Sequence, residues 1–187
     1  MNAIKQMIEE SIKAMTDTTK LAPQIENATE IVEKALRAGN KILLAGNGGS
    51  ATQAAHIAAE FTGRYKKDRK PLPGIALTAD LAAITAIAND YGYEQVFSRQ
   101  LEALGSKGDV FVALSTSGNS KNLMSALEAA RKKGIASVSL LGRGGGKMKG
   151  MADLDIIVPS KNIPRIQECH LTVLHIVCEA VEERMFP

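Results

Sequence analysis

Tryptophan is absent from the 187 residues, and the aromatic share is only 4%. Single-stranded nucleic-acid binders use aromatic side chains as stacking platforms along a basic groove, so this chain lacks their main instrument. It also lacks charge of one sign. Twenty-three Lys and Arg against 20 Asp and Glu leave a net +3, spread along the chain rather than gathered in one arm. No run approaches the ~18–20 apolar residues of a membrane span. Residues 1–14 carry Glu9 and Glu10 in an amphipathic pattern, unlike the apolar stretch of a secretory leader. Cysteine is scarce, with Cys169 and Cys178 nine residues apart in one expected helix. At ~1.5 Å of rise per residue their Cα atoms stand ~13 Å apart, beyond disulfide reach of about 7 Å. These absences predict an intracellular, cytoplasmic protein with no nucleic-acid and no membrane partner.

What is present is a core. Hydrophobic residues make up 45% of the chain, enough for one domain of ordinary size. Ile4, Met7, Ile8, Ile12 and Met15 fall on one helical face, and a second helix is expected over Pro23–Ala38, ended by Gly39. The pattern then changes to short apolar runs between helical stretches. Strands are predicted at Lys41–Ala45, Gly74–Leu77, Asp109–Leu114, Ala136–Leu141 and Leu154–Val158. Helices are predicted at Ser50–Arg64, Asp80–Ala88, Glu94–Leu104, Ser120–Lys133 and about Ile163–Arg184. Strands apolar along their length and separated by helices indicate a parallel sheet covered on both faces. The fold class is therefore α/β, a doubly wound five-stranded parallel sheet of the flavodoxin-like kind, preceded by an N-terminal helical hairpin. The hairpin's apolar face needs a cover, and a second subunit would supply one.

Ligands of such sheets bind beyond the carboxyl ends of the strands. The first strand is followed by Gly46-Asn47-Gly48-Gly49-Ser50, and the third by Ser115-Thr116-Ser117-Gly118-Asn119-Ser120. Glycines let backbone N–H groups approach an anion, hydroxyls add donors, and a helix N-terminus favours negative charge. Ser50 and Ser120 also suit helix N-caps, which is the plainer account of each loop alone. Four hydroxyls in six residues exceed what a cap needs, so Ser115–Ser120 is read as a phosphate loop. Gly142–Lys147, rich in glycine but without hydroxyls, is read as a flexible connector. Neither loop is a Walker motif, and the acidic residue a dinucleotide fold requires is missing at the expected spacing, Asp80 coming late.

His56 and Glu60, four apart, project from one face of a helix of small residues. The last helix offers Gln167, Glu168, His170 and His175. Two imidazoles, a carboxylate and an amide oxygen from His56, Glu60, His175 and Gln167 form a donor set suited to zinc. Gln167 and His175 are separated by ~12 Å of helical rise, which strains a single site. His170 and Glu168 read as polar residues on the exposed side of that helix.

Taken in order, Gly46-Asn47-Gly48-Gly49-Ser50, His56-x3-Glu60-x-x-Gly63-Arg64-Tyr65, Asn89-Asp90, Ser115–Ser120 and Arg165-Ile166-Gln167-Glu168-x-His170-x4-His175 closely resemble the phosphoheptose isomerases of the sugar-isomerase (SIS) domain superfamily. The resemblance spans residues 1–187 as one SIS domain, with 1–39 the oligomerising hairpin and 40–187 the isomerase core. It implies conversion of sedoheptulose 7-phosphate to D-glycero-D-manno-heptose 7-phosphate, feeding nucleotide-activated heptose to bacterial surface glycans such as lipopolysaccharide core, capsule or S-layer. It further implies one zinc per subunit on His56, Glu60, Gln167 and His175, and Glu60 and His175 as catalytic base and acid. Substrate contacts would fall on Asn47, Gly48, Gly49, Ser50, Glu60, Arg64, Asn89, Asp90, Ser115, Thr116, Ser117, Ser120 and Gln167. The family is a homotetramer with active sites at subunit interfaces. A carboxylate committed to a metal is a poor base, so the two roles implied for Glu60 compete. A sister SIS family, a tetramer that binds the bacterial replication initiator without isomerase activity, is similar at Ile87–Asp90 and Phe186-Pro187. Its positions matching Glu60 and His175 hold groups unable to do acid–base work; here both are intact. A SIS sensor domain, which only binds sugar phosphate, would not need them either.

Overall fold

A computed structural model describes residues 2–187. Two helices come first, α1 (Ala3–Thr18) and α2 (Ala22–Arg37), joined by the turn Thr19–Leu21. Asn2 caps α1 by accepting from the Ile4 amide. Gly39, at φ +80°, ends α2, as the sequence predicts. The core follows as β1 (Ile42–Gly46), α3 (Gly49–Thr62), β2 (Gly74–Ala76), α4 (Leu81–Tyr91), α5 (Val96–Leu104), β3 (Val110–Ser115), α6 (Lys121–Lys133), β4 (Ala136–Leu141), β5 (Leu154–Ile157) and α7 (Ile163–Met185). All pairings are parallel and the strand order is β2-β1-β3-β4-β5. Strands are added outward in opposite senses on either side of the β1–β3 pair, and that pair is the switch point, where this fold opens a crevice.

Both faces of the central strands are buried, and alternation along them sorts the helices. Ile42, Leu44, Val110, Val112 and Leu114 face α2, α3 and α7. Leu43, Ala45, Phe111 and Ala113 face α4, α5 and α6. Helix α1 lies outside this sandwich, against α7, where Ala14 packs with Val158, Ile166 and Cys169. Helix α2 spends its apolar face on the core. Of the α1 face only Met15 is partly covered, while Ile4, Met7, Ile8 and Ile12 are 55–67% exposed. Both cysteines are buried and unpaired in α7. Among the described residues no helix is long and apolar enough to cross a membrane.

Several local expectations need correcting. Ser50 is a buried residue inside α3, whose N-cap is Gly48. Ser120 is at the N-cap of α6, but its side chain makes no capping bond. Helix α4 runs on to Tyr91, so Asn89 and Asp90 are helical. The Gly142–Lys147 segment is packed rather than loose: the Met148 amide donates to Gly118 O (2.9 Å) and the Lys147 amide to Asn119 Oδ1 (3.1 Å). A Cβ on Gly118, at φ +65°, would stand 2.0 Å from Gly145 O, so only glycine permits this closure. His170 is fully buried, not exposed, because its ring turns in toward the end of β4. Its Nε2 donates to Leu141 O at 3.1 Å, leaving Nδ1 without a partner. Glu168 is half-buried and accepts from Ser11 Oγ and Arg165, tying α7 to α1.

Candidate active site and metal centre

Helices α3 and α7 run side by side in the same direction and touch at two levels, with a third contact just beyond the end of α3. At the first, the Gln53 amide donates to Gln167 O (2.7 Å), and the Gln167 side chain lies against Gly49. A Cβ on Gly49 would stand 2.5 Å from Gln167 Nε2, so this glycine makes room for the amide. At the second level, His56 Nε2 is 3.0 Å from His175 Nε2 and 3.3 Å from Glu60 Oε1. The rings are tilted by 60°, with centroids 5.2 Å apart. The third contact is an ion pair between Glu182 of α7 and Arg69, a loop residue that bonds the last carbonyls of α3.

The second level carries the chemistry. One ligand atom from each of His56, Glu60 and His175 lies within 4.8 Å of the other two. A tetrahedral zinc with bonds near 2.0–2.1 Å sets neighbouring donors ~3.3 Å apart. The two separations from His56 lie near that edge, while Glu60 and His175 stand further from each other, within 4.8 Å. Two imidazole nitrogens with a carboxylate oxygen beside them offer a donor set for a metal ion. Burial pushes the His175 imidazole below its ordinary pKa and His56 adds to that effect, while Glu60 opposes it. A neutral imidazole is the form that ligates metal or accepts a proton. His56 keeps 48% of its side chain exposed, so the cluster opens to the surface. Cys178, one turn away, is pushed up to about 12 by burial and is inert as a nucleophile.

The loops at the strand ends form a second constellation. Ser115 Oγ and Ser120 Oγ share a hydrogen bond of 2.8 Å, and the Gly118 amide donates to Ser115 Oγ (3.1 Å). The Asn119 amide donates to Ser117 Oγ at 3.2 Å. The hydroxyls thus fold the loop over the N-terminus of α6. Asn47 is fixed from two sides. It exchanges amide bonds with buried Asn122 (3.0 and 2.8 Å), and the Tyr93 hydroxyl donates to its Oδ1 at 2.9 Å. Asn122 and Tyr93 escape sequence reasoning, since neither lies in a glycine or hydroxyl motif. Thr116 is partly exposed beside Ser117, and Gly48 and Gly49 are exposed at the start of α3. Asn89 donates to Asp90 (2.8 Å) on the exposed surface of α4, and exposed Arg64 donates to Lys66 O (3.1 Å). No hydrogen bond or ion pair joins Asn89, Asp90 or Arg64 to the His56–Glu60–His175 cluster among the described residues.

An α/β crevice with a hydroxyl-lined loop and a His–Glu–His cluster defines a class, and the SIS domain family model matches residues 5–142. A phosphoheptose isomerase of Geobacter sp. (strain M21) is 50% identical over 187 residues, 100% of this chain and 97% of the relative. The solved phosphoheptose isomerase of Neisseria gonorrhoeae superposes with a TM-score of 0.91 at 41% identity, covering 96% of this chain and 97% of the other. That of Francisella tularensis gives 0.93 at 37% identity, with 96% of each chain covered. The chain belongs to the phosphoheptose isomerase family, and with it to the sugar-phosphate isomerases.

Proposed function

We propose that the protein interconverts sedoheptulose 7-phosphate and D-glycero-D-manno-heptose 7-phosphate. The observation that carries this reading is the meeting of the Glu60 carboxylate with the His56 and His175 imidazoles on adjacent helices. The family membership supports a phosphorylated sugar as substrate, and the likeness to phosphoheptose isomerases supports the choice of a heptose.

Interconversion moves a proton between carbons 1 and 2. A base removes the carbon-1 proton of the ketose while the carbonyl oxygen on carbon 2 takes one, giving an enediol. Return of a proton to carbon 2 and loss of one from the oxygen on carbon 1 gives the aldose. Glu60 serves as the carbon base and His175 as the acid for the oxygens, each worth typically ~10²–10⁴-fold. Zinc held by His56, Glu60 and His175, with Gln167 the fourth candidate, would supply positive charge beside the reacting oxygens. Ser115, Thr116, Ser117 and Ser120 hold the remote phosphate, whose binding energy orients the reacting carbons. Asn47, Gly48, Gly49 and Ser50 line the opposite side of the crevice, with Asn89, Asp90 and Arg64 as outer contacts. The residue 1–39 segment serves oligomerisation and residues 40–187 the chemistry. A cytoplasmic homotetramer with sites at subunit interfaces suits both the open cluster and the uncovered face of α1. Its product would enter nucleotide-activated heptose for surface glycans.

The test is direct: purified protein is mixed with sedoheptulose 7-phosphate and the aldoheptose phosphate is followed by NMR. Inactive wild-type protein that binds the replication initiator would overturn this reading in favour of the sister SIS family.

A further inference from the structure

The run Lys66-Lys67-Asp68-Arg69-Lys70 has the look of a solvated charge cluster, yet the Arg69 side chain is 2% exposed and that of Glu182 3%. Glu182 lies on α7 seven residues after His175, two turns along nearly the same face. Its carboxylate is fully subscribed. Oε1 accepts from the amides of Lys66 (2.8 Å) and Lys67 (2.7 Å), and Oε2 from the Tyr65 amide (3.1 Å) and Arg69 Nε (2.8 Å). Arg69 then reaches back to the end of α3, where Nη2 donates to the carbonyl of Glu60 itself (2.8 Å) and Nη1 to Phe61 O (3.0 Å). Helix C-terminal carbonyls are orphan acceptors that favour a cation.

Stability is a weak reason for such a pair. Removing two charges from water costs several kcal/mol per ion, and apolar replacements of equal volume are often as stable. A planar guanidinium has a fixed donor geometry, however, and here it joins the backbone of Glu60 and Phe61, through its two Nη groups, to the helix of His175, through Nε. The same carboxylate fixes the segment whose Tyr65 ring packs 5.7 Å, centroid to centroid, from the His175 ring. We infer that Arg69 and Glu182 are positioning residues that set α3 against α7, and thereby hold Glu60 and His56 at working distance from His175. The inference rests on the proposed function for its kinetic consequence, and on the geometry alone for its effect on metal binding.

The experiment uses the full chain carrying Glu182→Gln, which keeps the shape but points an amide at N–H donors, and Arg69→Lys, which keeps charge but loses the fork. Partners that orient ligands typically change metal affinity or activity by ~10–100-fold. Each folded variant is expected to lose zinc to a competing chelator ~10-fold more readily and to drop kcat by a similar factor. KM for the phosphorylated sugar should stay within about twofold, because the hydroxyl loop is untouched. Should both variants fail to fold, Tyr65→Leu leaves the ion pair in place and is expected to loosen zinc through His175. Folded variants with wild-type zinc retention and wild-type kcat, however much their melting temperature falls, would reduce the pair to a structural staple and overturn the inference. Wild-type protein that holds zinc but does not isomerise sinks the proposed reaction, and zinc competition then decides this inference alone.

Discussion

Glu60→Gln preserves volume while removing the basic oxygen, and His175→Gln removes the imidazole. With general acid–base catalysis worth ~10²–10⁴-fold per group, each should lower kcat at least ~100-fold in protein that still folds. Circular dichroism and steady-state kinetics on the same preparations check this, and near-normal turnover in either variant removes that residue from the mechanism. The hydroxyl loop gives a second expectation. Ser117 accepts from the Asn119 amide, and its O–H remains for a phosphate oxygen. Hydrogen bonds to charged groups contribute ~1.5–3 kcal/mol, so Ser117→Ala should weaken binding of the phosphorylated sugar about tenfold to a hundredfold. Inorganic phosphate should compete less well in that variant. A lower melting temperature with unchanged affinity would mark Ser117 as a purely structural hydroxyl. At this scale the sequence was legible where chemistry obeys helical spacing, as with His56 and Glu60. Arg69 stayed hidden because a buried arginine inside a charge run has no signature without its distant partner Glu182.

The elements were legible because period and punctuation agreed: the apolar strands, Asp80 capping α4 through the Ala83 amide, and Gly134 ending α6 in a left-handed turn. Helix α7 was the exception. His170 was expected on its exposed side, yet α7 packs against α1, α2, α3 and β4, and His170 turns in toward the end of β4. Burying His170 there has a measurable consequence. Burial holds its imidazole down to about 4, against the ordinary 6.5, and only the Leu141 carbonyl opposes the shift. Protonation would also leave an Nδ1–H with no acceptor. The folded pKa is the lower one, so the unfolded chain takes up the proton first as pH falls. The native state is therefore fully favoured above the unfolded value and loses stability from about pH 6.5 down to about 4, by roughly 3 kcal/mol in all. Urea unfolding of wild type and His170→Leu near pH 7 and near pH 5 isolates the effect. The wild type should lose about 2 kcal/mol more than the variant over that interval, and parallel losses would assign the acid sensitivity to other groups.

At the scale of the molecule, the layer order and parallel sheet follow from the strand–helix alternation, but a single chain's sequence carries no direct record of its partners. Helix α1 is where that gap shows. Its period placed five apolar residues on one face, and four of them have no cover within the chain. Each such side chain gains ~1.5–3 kcal/mol on full burial, and soluble monomers rarely leave a contiguous patch of this kind exposed. The proposed tetramer would bury it. Ile8→Asp with Ile12→Asp changes side chains that are 55% and 61% exposed, so the isolated subunit should fold as before. A buried carboxylate without a partner is intolerable at an interface, however, and assembly should fail. Light scattering coupled to size exclusion is expected to show a species below the wild-type mass at micromolar concentration. The readout of activity adds a second decision. Sites completed by a neighbouring subunit lose turnover along with assembly, whereas a site complete within one chain keeps it. A double variant that retains the wild-type mass would place the oligomer contact on another surface and leave the α1 face unexplained.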